Sequence, residues 1–287
     1  SHVVVWAART LWLVVAVTGG AGIGEALGAH SHAVQVAGTG AAWAGWAVGV
    51  TGISIVYALL LAIPLGLLLW ACRRKGPWML VAIAALYFPG MLAVIHPRAA
   101  GFTVMAFSLL VILILAVWRA PLSEGGLGAR PRVALAVIAV LFAVWASLHG
   151  GFVAGLLLIG LVSLGLTLDR FRGLTEVVTS HRLGLLAFAG VLGAVIASLA
   201  TPLGGQIWEY FQSFSNPAIR FASTEWLPAL QSMPAMGYLA LSAAFAGWLW
   251  WRSTPPRQIA PLLVALGFIA FAVFSMRNSI FVAPALA

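Results

Sequence analysis

Six ionisable side chains stand apart from the rest of this sequence: His96, Arg98, His149, Glu209, Glu225 and Arg277. Each falls in a break between long apolar runs and outside the Lys/Arg clusters that fill the other breaks. In so apolar a chain, ionisable groups near a membrane boundary are costly to keep, which makes them a candidate functional site. His149 is the sharpest of them. In Trp145-Ala-Ser-Leu-His149-Gly150-Gly151-Phe152 it joins two apolar segments, and the two glycines allow a sharp turn or a close approach of backbone to a ligand. Its ordinary alternative is a hydrogen-bonded histidine that caps a helix. Glu225-Trp226 pairs a carboxylate with an indole, a combination that can bind a sugar hydroxyl, pair with an Arg or act as a base. The alternative is an exposed Glu beside an interfacial Trp. Arg98 and Arg277 can hold a phosphate through paired N–H donors, or anchor helix ends by snorkelling. Pro97 stiffens the chain between His96 and Arg98.

The elements that must position these groups are read from the composition. Of 287 residues, 63% are hydrophobic and 7% are charged. A soluble domain carries roughly 25% charged residues, and a disordered chain has the opposite balance. Thirteen Trp, 31 Gly and 14 Pro suit a polytopic helical membrane protein. Apolar segments fall near 3–18, 33–50, 53–71, 77–95, 99–118, 133–148, 152–168, 183–201, 235–251 and 258–276. The fold class expected is therefore all-α, a transmembrane bundle of about 9–10 spans. Residues 1–52 form an N-terminal part of uncertain topology, and residues 53–287 form the main helical domain with a long outer loop at 202–234. Residues 33–71 carry no charge and have only Thr51-Gly52 as a hinge. Two helices in a tight turn, a re-entrant half, or a missing loop would each account for them. Within the long loop, residues 206–214 suit a short amphipathic helix lying in the headgroups.

If each segment from residue 53 crosses once, the breaks alternate sides. The breaks at 72–76, 119–132, 169–182 and 252–257 hold three, three, three and two basic residues. The breaks at 96–98, 149–150, 202–234 and 277–278 hold only Arg98, Arg220 and Arg277. The positive-inside rule makes the first set cytoplasmic, so the six ionisable groups gather on the opposite face. The same placement explains the net charge of +9 without nucleic acid as a partner. Cys72 excludes an internal disulfide, because it is the one cysteine. Gly19-Gly-Ala-Gly-Ile-Gly24 is not a dinucleotide loop, and no P-loop, HExxH or metal-spaced Cys/His set is present. Gly151 and Gly155 form a GxxxG pair, which points to close helix packing. The chain begins Ser-His and ends within an apolar run, without a basic stretch and small-residue cleavage site, and reads as processed or truncated.

Five elements in order carry a resemblance: His96-Pro97-Arg98 with Phe102, Trp145-Ala-Ser-Leu-His149-Gly-Gly-Phe152, Ala200-Thr-Pro-Leu-Gly204, Glu225-Trp226 and Arg277-Asn278. Together they resemble a bacterial family of multi-pass membrane proteins related to the GT-C glycosyltransferases, over about residues 53–287. The resemblance implies a GT-C-like fold in the bacterial plasma membrane, and transfer of a sugar from a polyprenyl-phosphate donor on the non-cytoplasmic face. It implies catalytic roles for Glu225, His149 and Glu25, and substrate binding by His96, Arg98, Trp226, Arg277 and Asn278. As cofactor it implies at most a divalent cation. GT-C enzymes carry an acidic motif in the first outer loop, where this sequence offers only Glu25, with His30 and His32 nearby. That departure leaves a second reading, a non-catalytic membrane subunit packed against partner subunits. A transporter or channel would need ionisable residues within spans, and past Arg9 the spans hold almost none.

Overall fold

The computed structural model describes residues 40–91, 100–119, 129–174, 178–201, 204–213 and 228–287. These residues form helices and short connections, with no strand among them. The helices are α1 (Gly40–Cys72), α2 (Pro77–Met91), α3 (Ala100–Arg119), α4 (Ala129–Leu148), α5 (Phe152–Phe171), α6 (Val178–Ala200), α7 (Ile207–Ser213), α8 (Met233–Arg252), α9 (Ala260–Phe274) and α10 (Val282–Leu286). Among the described residues, three stretches are long and apolar enough to cross a membrane: Ser54–Lys75, Ala100–Val117 and Phe152–Phe171. Shorter apolar helices run over Pro77–Met91, Arg132–Leu148, Gly184–Ala200 and Ala260–Phe274.

The hinge expected at Thr51-Gly52 is absent. α1 runs through it as one helix of 33 residues, about 50 Å at 1.5 Å per residue. A Gly within a helix costs only about 1 kcal/mol relative to Ala, so it weakens the helix without ending it. The next break falls where the sequence places it, at 72–76, and turns on Gly76, whose φ of 104° lies in the left-handed region that favours glycine. That residue turns the short 3-10 segment Arg73–Lys75 into α2.

The core is apolar and aromatic. Phe107 of α3 meets Phe268 of α9 at 5.0 Å and Phe281 at 4.8 Å between ring centroids. After α9 the chain turns back inward through Met276–Phe281 and α10, where Ile280, Phe281, Val282 and Ala283 are all buried. Gly155 gives the GxxxG pair its packing role. A Cβ there would lie 2.8 Å from Trp145 Cζ3, so only glycine lets the indole rest across α5. The outer faces are apolar as well. Val133, Val137, Val140 and Val144 form one exposed stripe along α4, and Phe188, Val191, Val195 and Leu199 form another along α6. Spacings of three and four residues put each set on one helix face, and stripes of this kind are not left facing water.

Among the described residues, the breaks at 73–75, 169–172 and 252–257 lie at one end, and those at 149–150 and 277–278 at the other. At the basic end, Asp169 is fully buried in the last turn of α5, and its carboxylate accepts from the backbone N–H of Ile259 at 2.7 Å and of Ala260 at 3.1 Å. It thereby caps α9 from 90 positions away in sequence. Arg172 lies 3.6 Å from the same carboxylate and donates to the carbonyl of Arg257 at 3.1 Å. At the opposite end, Ser147 donates to the carbonyl of Ala200 at 3.1 Å, and Phe152 packs against Trp208 at 6.1 Å.

Candidate functional site

The sparse end holds a polar chain built on His149. α4 stops at Leu148, and His149 closes the helix with its backbone N–H on the carbonyl of Trp145 at 2.8 Å. The next helix begins at Phe152, so His149 sits between two helices and outside both. Gly151 makes room for the ring, since a Cβ at that position would come within 2.6 Å of Thr103 Cγ2 and 2.9 Å of His149 Nδ1.

Each nitrogen of the imidazole has a partner. Nε2 faces Arg277 Nη2 at 2.8 Å. Nδ1 faces Thr103 Oγ1 at 2.7 Å, and the Gly151 N–H is aimed at it as a competing donor from 3.0 Å. Trp145 Nε1 donates to the same Thr103 oxygen at 3.0 Å. The chemistry of the partners fixes the protons. Arg277 at Nε2 and the Gly151 N–H at Nδ1 are both donors without an acceptor lone pair, and the charge-assisted bond to the guanidinium outweighs the neutral one, so the Nε2 lone pair goes to Arg277. The single proton of the neutral ring is then on Nδ1, donated to Thr103. The Thr103 hydroxyl oxygen thus accepts from both His149 and Trp145, using its two lone pairs.

The electrostatics agree with a neutral ring. Burial first, and the Arg277 cation second, push the His149 pKa down from 6.5 to about 3. An imidazolium would put an N–H against a guanidinium N–H in a poorly solvated site. In this arrangement His149 is therefore a hydrogen-bond acceptor that orients Arg277. Its one lone pair is already used, so it takes no proton from a substrate.

The remaining site residues divide in two. Asn278 does not join the His149 chain through its amide nitrogen. Nδ2 donates to the carbonyl of Phe271 at 2.9 Å and so caps the end of α9. Glu25, His96, Arg98, Glu225 and Trp226 lie outside the described residues. Of the helix expected at 206–214, the structure describes a 3-10 turn at Gly204–Gln206 followed by α7. Ile207 is buried, Trp208 donates to Ser198 Oγ at 2.8 Å, and Glu209 is exposed. α7 is thus pinned to α6 and α5, which an amphipathic pattern alone does not reveal.

Thr103 was not singled out from sequence. Its only signal is a hydroxyl in the first turn of an otherwise apolar helix, one of two with Ser108. Trp145 lay within a quoted motif, but its hydrogen bond depends on α3 lying alongside α4. Among the described residues no group of three or more His, Cys, Asp or Glu converges. The divalent cation that the resemblance allows has no described ligand set, and no step below uses one.

No family model, curated protein or solved structure matches this chain.

Proposed function

We propose that the chain is a polytopic protein of the bacterial plasma membrane with its basic loops in the cytoplasm. In this reading it is a GT-C-like glycosyltransferase that takes a sugar from a polyprenyl-phosphate donor at the sparse, non-cytoplasmic end. The observation that carries the reading is the Trp145–Thr103–His149–Arg277 chain, which holds a permanent cation in a fixed direction at a membrane boundary. Such a cation suits an anionic ligand such as a phosphate. The apolar outer stripes of α4 and α6 support the membrane placement.

In the proposed reaction the bond from the sugar C1 to the donor phosphate oxygen breaks, and a bond from C1 to the acceptor oxygen forms. The acceptor proton passes to a carboxylate, with Glu225 proposed and Glu25 as the other candidate. Polyprenyl phosphate leaves with its electron pair. Arg277, with Arg98, stabilises the growing charge on that phosphate, which is the largest contribution a pre-arranged site makes. His149 serves as a positioning residue. His96, Trp226 and Asn278 complete the proposed donor site.

The test is transfer from a panel of polyprenyl-phosphate sugars in reconstituted vesicles. Arg277→Gln and Glu225→Gln are each expected to abolish transfer while melting like the wild type. Normal transfer by both variants would remove the assignment. Purification as a fixed-ratio complex with another membrane protein, inactive on every donor and without lipid-phosphate, would establish the non-catalytic subunit instead.

A further inference from the structure

At the opposite end of the bundle from His149, a cavity of about 720 Å³ opens among α2, α3, α5, α8, α9 and α10. That volume falls within the roughly 300–1,000 Å³ of ligand sites. Its walls are apolar, with Ile114, Leu158, Val162 and Leu249 among them. Its rim is polar and exposed, formed by Lys75, Ser253, Thr254 and Gln258. Trp78 and Trp250 flank the opening.

Lys75 is the cation on the rim itself, and four arginines lie close to it in sequence or in the facing connection. Arg73, Arg74 and Lys75 follow one another after the end of α1, Arg252 ends α8 and Arg257 lies in the connection after it. Arg73 is engaged, with its guanidinium 4.2 Å from the Trp70 ring centroid and an N–H on the Trp70 carbonyl. Arg74 and Lys75 are exposed and make no hydrogen bond or ion pair with any described residue. Asp169 is the acid described nearby, and both its oxygens are taken by backbone N–H groups. Trp70, Trp78, Trp248 and Trp251 are half-exposed around the rim, and Trp78 meets Trp248 edge-on at 4.9 Å. Half-exposed indoles with Arg at one level mark the headgroup layer of a bilayer.

We propose that this cavity is a binding site for an anionic phospholipid. An acyl chain lies along the apolar walls, and the phosphate headgroup rests on Lys75 and Arg74. Apolar walls exclude a free nucleotide or inorganic phosphate as the main occupant, because neither would bury apolar surface. The unpaired cations select a net-negative headgroup over a zwitterionic one, as basic pockets at the cytoplasmic leaflet do. The site is separate from the sugar-donor site and stands whether or not the chain transfers sugar.

The test uses the whole protein in mild detergent, exchanged into micelles with equal phosphatidylglycerol and phosphatidylcholine and read by native mass spectrometry. Retention of phosphatidylglycerol is expected. Lys75→Gln should cut that retention about fivefold, the effect of roughly one charge at a membrane surface. Ala265→Phe, which fills the cavity from α9, should abolish retention of both lipids. Equal retention of both lipids, or phosphatidylglycerol retention unchanged in both variants, would overturn the proposal. So would photo-crosslinks from Trp78 that yield only peptide adducts, which would give the cavity to protein.

Discussion

Lowering the pH puts the tautomer of His149 to a direct test. Its pKa is about 3 in the folded chain and about 6.5 when unfolded. Between those values the unfolded chain binds the extra proton and the folded chain does not, so stability rises with pH in that window. The contribution is complete above about pH 6.5 and is lost as the pH falls towards 3. At its steepest the loss is about 1.4 kcal/mol per pH unit, and from pH 6.5 to 4.5 it comes to about 2 kcal/mol. The assay is unfolding in a neutral detergent at stepped pH, for the wild type and for His149→Gln. A glutamine carbonyl can accept from Arg277 and its amide can donate to Thr103, but it does not titrate. The variant should therefore lose the His149 part of the slope and keep most of its stability at neutral pH. Ring ¹⁵N resonances provide the second measurement, with Nδ1 protonated and Nε2 bare down to about pH 4. An Nε2–H tautomer, or an imidazolium above pH 5, would refute the reasoning, because either would set an N–H against Arg277.

Three further outcomes follow from the packing. Asp169→Ala leaves two backbone N–H groups at the start of α9 without their acceptor, and should cost about 2–4 kcal/mol in chemical unfolding; Asp169→Asn should fall between this variant and the wild type. Trp145→Phe removes the donor to Thr103 and also shrinks a fully buried ring, and should lower stability by about 2–3 kcal/mol while shifting the His149 ring resonances. Gly165→Ala puts a methyl group 2.7 Å from the Ala260 Cβ and closer still to its backbone, so a melting experiment should show the 1–3 kcal/mol loss of about one overpacked contact.

Residue types and their order carried the all-α class, the apolar segments and the two-ended sorting of polar breaks. Each of these depends on local composition or on parity along the chain. Asp169, Arg172 and Arg257 meet at one end, and His149 and Arg277 at the other, because successive helices return the chain to alternate ends. The helix through Thr51-Gly52 was not legible, because a lone Gly weakens a helix by less than the neighbouring hydrogen bonds sustain it. His149 and Arg277 stood out as scarce charges in an apolar sequence, but scarcity could not show that one holds the other across 128 positions. Nor could it give the proton on Nδ1, which depends on a donor-only guanidinium lying 2.8 Å from Nε2. Sequence alone determined which ionisable groups are scarce and stand outside the basic clusters. Tertiary structure decided their partners and protonation, because both are set by atoms brought together from distant helices.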